Sequence, residues 1–467
     1  MSTSTLRFLA AGFFILAVLT SGCNSPTGDF VHKSEEQLAQ MEQLSTEAHQ
    51  HFVNGNYENA GIILDKLTSE RTVSRPLYQL EKLSVLLLEG KNDEAHTLMQ
   101  KLHADFEYLF DKKLEEKAQS VWHGEINKVF KGDAYERSTF YALMALSYIN
   151  KGDCENALSC VKTGLLIDAD SNSETAINDY ALLYYLGHIA ASKLQKKGDA
   201  GEYLRDMKKG LQTQGYKLSE NPRTDCFSQI PRNTPNVLLV VWSGTPPTVV
   251  CTGKYKEIRN IIRGENVFDA MTVSVGSGRS VYIPNNLGDI EYQATTRGGR
   301  LMDNVLADKA AVKSAMEVSG NVFLVTGTAL LLAGARTLGT PPVGISLLGA
   351  GLGCLVIGGT VHIVGAYMNP AADGRFWKNL PAQLHIVPLN LPPGKHTVML
   401  KGESSGDTSG IAMYHVDVPA KESISVFHLP MLSQGFSYTA AIEAHRKNVL
   451  DEILPKANAD RLAKEIK

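Results

Sequence analysis

Cysteine is scarce in this chain, six among 467 residues, and the charges nearly cancel, leaving a net −3 and a pI near 6.5. So few cysteines over this length are not the dense disulfide framework of a small secreted domain. A near-neutral chain gives no electrostatic reason for a nucleic-acid partner. Nucleotide motifs are missing too: no Gly-x-Gly-x-x-Gly falls at a strand-to-helix turn, and no Gly-Lys-Ser/Thr phosphate loop occurs. His49 and His51 are too close together to share one helical face, and no other group of His, Cys, Asp or Glu carries metal-ligand spacing. Ser159-Cys160-Val161-Lys162 matches Ser-x-x-Lys, but neither Ser-Asp-Asn nor Lys-Thr-Gly accompanies it. With no nucleophile beside a recognisable base, the chain is not expected to be an enzyme, nor to hold a metal or cofactor. A hydrolase of envelope polymer would need a cleft that joins paired carboxylates, or a Ser and a His.

What is present is apolar residue, at an ordinary 43%, over a length that suggests two to four domains. The run from Gly132 to Asp168 is the most informative. Tyr141, Ala145 and Tyr148 share one helical face, Gly152 breaks the pattern, and Ala157, Val161 and Gly164 line a second helix. Small residues at Ala145, Ala157 and Gly164 let two such helices pack closely. This predicts a helical hairpin of the tetratricopeptide kind, which needs stacked neighbours to bury its apolar face. Similar Gly turns follow at Asn54-Gly55-Asn56, Glu89-Gly90-Lys91 and Lys197-Gly198-Asp199. The first two lie 35 residues apart, close to the period of about 34 for such repeats. Residues 35–220 are therefore expected to form a tetratricopeptide-like α-solenoid, with an inserted or elongated helix over Asp105–Lys131.

At the amino terminus, Arg7 precedes the apolar run Phe8–Leu19, which is too short for an ordinary membrane span. It reads as an export signal. The following Leu19-Thr20-Ser21-Gly22-Cys23 resembles the bacterial lipobox. That resemblance implies a signal peptide over 1–22, lipidation of Cys23, and a polar tether over 23–34. Asn24 after the cysteine resembles the outer-membrane sorting class, which implies an outer-membrane lipoprotein facing the periplasm.

After the Pro- and Asn-rich stretch 221–235, the pattern turns to short strands over 236–430, with the rhythm of one small β-sandwich. Cys226 and Cys251 are candidates for an export-compartment disulfide, and the sequence leaves their pairing open. The strands are interrupted at 300–370. Leu301–Val318 reads as one amphipathic helix, Val322–Ala335 as an apolar helix, and Val343–Met368 as an apolar run with no charge over 26 positions. Gly349 and Gly353 form a small-xxx-small pair suited to close helix approach, in a membrane or between copies. Three readings of this hairpin stand: membrane insertion, burial against the body, and association with copies of itself or a partner. Residues 438–467 read as a charged C-terminal helix.

The passage Gly132-Asp133-Ala134-Tyr135-Glu136-Arg137, the region Val237–Arg259, and Asp373-Gly374-Arg375-Phe376-Trp377-Lys378-Asn379-Leu380-Pro381 together resemble a family of bacterial tetratricopeptide lipoproteins of poorly defined envelope function. The expected fold is an α+β multidomain chain, a solenoid followed by a sandwich, and the Gly-rich helical hairpin that interrupts the sandwich departs from the family pattern, being longer and more apolar. The resemblance implies a non-enzymatic scaffold that binds another envelope protein. Tyr135, Glu136, Arg137, Asp373, Arg375 and Trp377 are then expected to dock the two halves, with Arg375 pairing to Asp373 or Glu136, or else to bind a peptide. The alternative function is a membrane-inserting or pore-forming component that uses 319–368.

Overall fold

The computed structural model describes residues 33–109, 128–169, 179–214, 234–264, 270–276, 281–282, 287–296, 301–336, 341–367, 371–403 and 410–431. The expected signal peptide, Cys23, Cys226, most of the expected tether, residues 110–127 and the helix expected at 438–467 lie outside them. The chain is α+β, with a helical half followed by strands.

Among the described residues eight helices form the first half: α1 (Glu35–Val53), α2 (Tyr57–Ser69), α3 (Arg75–Leu88), α4 (Asn92–Leu109), α5 (Ala134–Lys151), α6 (Cys154–Ala169), α7 (Ala181–Lys193) and α8 (Lys197–Thr213). Gly55, Gly90 and Gly152 make the turns between pairs, at φ 74°, 73° and 81°, which a residue with a Cβ adopts only at a cost. The fourth turn departs from the glycine reading. Gln195 takes the positive φ of 58°, and Gly198 lies within the first turn of α8. Residues 128–131 are not helical, so the expected helix over 105–131 ends its described part with α4 at Leu109.

Ten strands follow: β1 (Val237–Ser243), β2 (Thr248–Thr252), β3 (Ile258–Ile262), β4 (Ala270–Val275), β5 (Val281–Tyr282), β6 (Gly288–Asp289), β7 (Gln383–Leu389), β8 (Gly394–Glu403), β9 (Gly410–Val418) and β10 (Ser425–Met431). They make a first sheet in the order β10-β1-β7-β6, a second in the order β5-β4-β8-β9, and a β2–β3 ribbon. β1 pairs parallel with β10 and antiparallel with β7. Every residue of β1 is buried. Leu238, Val240 and Trp242 join the core shared with the helices, while Val237, Leu239 and Val241 pack with Val273, Val398 and Leu400 of the second sheet. The first sheet is thus a middle layer between helices and second sheet. That is why its central strand is a continuous apolar run rather than an alternating one.

Between β6 and β7 come α9 (Ile290–Thr296), α10 (Leu301–Arg336) and α11 (Pro341–Tyr367). α10 is one continuous helix of 36 residues, not an amphipathic helix followed by a separate apolar one. Pro341 opens α11, where a missing N–H costs nothing, instead of sitting in a turn before it.

Candidate functional site

Two places stand apart from ordinary packing. The first is a buried polar joint. Residues 371–382 run without regular structure from the hairpin to β7 and lie along α1, α3 and α5. Arg375 donates to Asp373 from Nε and Nη2 at 2.9 and 2.8 Å, a bidentate fork. Its other N–H groups reach Ser74 Oγ at 3.0 Å and the Lys128 carbonyl at 2.8 Å, and its guanidinium lies 5.6 Å from the Phe130 ring centroid. Of the two acceptors expected for Arg375, Asp373 is the one it meets. Glu136 instead accepts the backbone N–H of Trp377 at 2.5 Å and that of Asp133 at 2.6 Å. The Trp377 indole is buried and donates to Ser84 Oγ at 3.0 Å. Tyr135 is buried beside them, and Arg137 is half-buried on the first turn of α5.

The joint also uses residues that composition did not single out. Arg259 of β3 forms a buried ion pair with Asp133 and donates to the Asp373 carbonyl at 3.1 Å. His49 meets Asn379 Oδ1 at 2.7 Å, and Asn379 donates to the Glu81 carbonyl at 3.3 Å. At the far end of α5, Asn150 Oδ1 accepts from the Val426 N–H at 3.2 Å and from Lys421 Nζ at 3.2 Å. Asp179 accepts from Tyr292 Oη at 2.9 Å and Gln293 Nε2 at 3.2 Å. Three separate points thus bolt the halves together.

Burial sets the protonation of this joint. It pushes Glu81 up to about 7, against the opposing charge of Lys378. Burial, with Asp133 beside it, raises Glu136 as well. Burial depresses His49 to about 4. Burial works against the charge on Arg259, but Asp133 more than offsets it and raises that group. Perturbed carboxylates of this kind accompany active sites as well as structural networks. Here each faces its own chain.

Among the described residues the sheets contain one Ser–His contact. Ser243 Oγ lies 2.8 Å from His385 Nε2. The two residues are 3% and 0% exposed, side by side in the middle layer. Neither lines the grooves of about 230 and 250 Å³, which lie among α2, α3 and α4. Buried to this degree, the pair serves as a core hydrogen bond. Cys251 Sγ lies 3.7 Å from the Ala372 carbonyl oxygen. Cys154 and Cys160 are separate thiols, and among the described residues no group of His, Cys, Asp and Glu is arranged to hold a metal.

No protein-family model, curated protein or solved structure matches this chain.

The second place is the α10–α11 hairpin, where burial is inverted. The buried positions of its described side chains are glycines, Gly320, Gly327, Gly334, Gly351 and Gly358, joined by Ala310. They recur every seven residues on each helix, the repeat of a close-packed antiparallel pair. A Cβ on Gly327 would meet the Gly351 carbonyl oxygen at 2.9 Å, and one on Gly358 would meet that of Gly320 at 3.0 Å. Leu324, Leu331 and Leu355 cover the glycines opposite them. Gly349 and Gly353, expected at a contact with a membrane or another copy, lie outside this seam, with nothing within 4 Å of either Cβ position. The large apolar side chains point outward: Val325 is 71% exposed, Val356 68% and Leu352 57%. Ala310–Arg336 is the one segment among the described residues that is long and apolar enough to cross a membrane.

Proposed function

We propose that this chain is a non-enzymatic, lipid-anchored protein of the bacterial cell envelope, an assembly scaffold that grips its membrane a second time by inserting the α10–α11 hairpin. The observation that carries this reading is the inverted burial of the hairpin. A helix pair that hides glycine and displays valine, leucine and isoleucine is poorly suited to water and well suited to hydrocarbon. α11 carries no charged residue from Pro341 to Tyr367, and α10 carries none from Val318 to Ala335.

The remaining parts fit a tetratricopeptide-like solenoid followed by a β-sandwich, as in the lipoprotein family that the sequence resembles. Paired helices turned at Gly55, Gly90 and Gly152 support the solenoid. Its inner helices α1, α3 and α5 hold residues 373–380 in the manner of a bound peptide, so a partner envelope protein would meet another surface. The outer face of the second sheet, with Met399, Ile411 and Met413 exposed, is available for that. Cys23 would carry the lipid, at the outer membrane and facing the periplasm.

Cys354 supplies the test, because it lies half-exposed within the charge-free part of α11. The full chain bearing Cys23→Ser is treated with a maleimide, alone and on phospholipid vesicles, and the modified cysteines are mapped. Cys354 should react in solution and be protected at least about tenfold on vesicles, since lipid excludes the reagent and disfavours the thiolate. Cys160, pushed up to about 12 by burial, should be inert in both. Equal modification of Cys354 with and without vesicles removes the insertion reading.

A further inference from the structure

The turn between β2 and β3 sits against the base of the hairpin. Lys254 Nζ pairs with Glu317 of α10 at 2.7 Å. The Lys254 and Lys313 ammonium groups lie 4.8 and 4.9 Å from the centroid of the Tyr255 ring. Lys256 holds a left-handed backbone, φ 59°, and its carbonyl accepts the Ala372 N–H at 2.9 Å where the chain leaves the hairpin. Its side chain is exposed, as is that of Lys254. Glu257 turns inward and accepts the Tyr255 N–H at 2.8 Å. Lys254 and Lys313 therefore gather with Tyr255 beside Glu317, and Lys256 stands exposed on the same turn with the half-buried Glu257.

On the insertion reading above, we propose that Lys254, Lys256 and Lys313, two of them seated on the Tyr255 ring, form a collar that binds anionic phospholipid headgroups and fixes how deep the hairpin goes. Three observations converge on a lipid surface as the occupant. The first is position: the collar stands where the charge-free stretch begins, at Val318. From there to Ala335 the helix rises about 27 Å, close to the hydrocarbon thickness of about 30 Å, and Arg336 marks its far end. The second is chemistry: lysine sits at headgroup level, with its apolar stem below and its ammonium above, and the half-buried Tyr255 ring seats two of the three. The third is where the other anchor can reach. Lys33 is tied to Glu70 at 2.6 Å, close in sequence to the Val73–Ser74 site that Arg375 grips. Asp373 and Ala372 beside it touch Arg259 and Lys256 of the ribbon. The ten residues from Cys23 to Lys33 span up to about 35 Å when extended. A lipid on Cys23 would have that length of tether with which to reach the bilayer that takes the hairpin.

The experiment compares vesicles of phosphatidylcholine alone with vesicles containing about one third phosphatidylglycerol, using the full chain with Cys23→Ser. The second protein adds Lys254→Gln, Lys256→Gln and Lys313→Gln. A lysine near an anionic surface strengthens binding about fivefold. Because Glu257 and Glu317 offset two of the three, the parent should prefer the anionic vesicles by roughly fivefold. The triple variant should lose that preference, keep its binding to neutral vesicles and keep Cys354 protected. A preference that survives the triple substitution while Cys354 is protected overturns the collar and leaves insertion standing. A preference that the lysines carry while Cys354 stays reactive keeps the collar and overturns insertion.

Discussion

The joint and the hairpin solve the same problem, holding two segments together, with opposite materials. At the joint, large side chains and charges go inside: Trp377, Glu136, Arg259 and Asp133 are all buried, and the joint closes through ion pairs and hydrogen bonds. In the hairpin, nothing larger than a methyl group is buried among the described side chains, and backbone meets backbone. Buried charge is stable only when every partner is present, so the joint is specific and intolerant. Backbone contact without side chains needs no water-driven core, so the hairpin keeps its pairing in a solvent as apolar as itself. The contrast sets a body closed by buried polar partners beside an arm that, on the reading proposed above, is adapted to lipid, and substitutions should separate the two.

The largest effect is expected at Trp377. Trp377→Ala empties the seat between α3 and α5 and leaves Ser84 without its indole donor. A loss of about 3–5 kcal/mol in urea unfolding of the body is expected. The protection of Cys354 on vesicles should stay unchanged for the fraction that remains folded. A parallel loss of hairpin insertion would mean that the two regions are one cooperative unit.

A smaller and pH-dependent effect is expected at Glu81. A carboxyl raised from 4.5 to about 7 binds its proton more tightly in the fold, so stability falls as pH rises through this window. His49, depressed from 6.5 to about 4, works the other way and loses stability as pH falls from 6.5 toward 4. The two lie on either side of Asn379 and partly cancel. Glu81→Gln removes the buried charge. Thermal unfolding should show the variant more stable than the parent at pH 8, by up to about 3 kcal/mol, with the gain gone near pH 4.5. Its stability should also drop more steeply on acidification, because His49 is then unopposed.

Much of this contrast was legible in the sequence, and the failures have local causes. The turns at Gly55, Gly90 and Gly152 were readable because only glycine takes those angles cheaply. Gly198 misled because Gln195 supplies the one positive φ that the turn requires. Asp373, Arg375 and Trp377 stood out as a dense polar and aromatic segment. Arg259 and Asp179 did not, since an ion pair to Asp133 or a bond to Tyr292 spans more than a hundred positions and leaves no local period. The parallel pairing of β1 with β10 was hidden for the same reason. The apolar hairpin was conspicuous. Which of its glycines face inward was not, because the seven-residue row and the Gly349–Gly353 pair are both plausible seams until the register of α10 against α11 is known.

That register gives the finest test of the contrast, two glycines two positions apart on one helix. At Gly349 a methyl group enters open space, and alanine removes the conformational cost of glycine in a helix, about 1 kcal/mol. At Gly351 the same methyl group would stand 2.9 Å from the Gly327 carbonyl oxygen, an atom that cannot swing aside without parting the helices. Hydrogen exchange of amides in α10 and α11 should slow about fivefold in Gly349→Ala. In Gly351→Ala it should quicken, for a cost of about 1–3 kcal/mol in the pairing. Body unfolding should not move in either variant. If both substitutions slowed exchange alike, intrinsic helix preference would govern the hairpin, and the glycine row would not be what holds it closed.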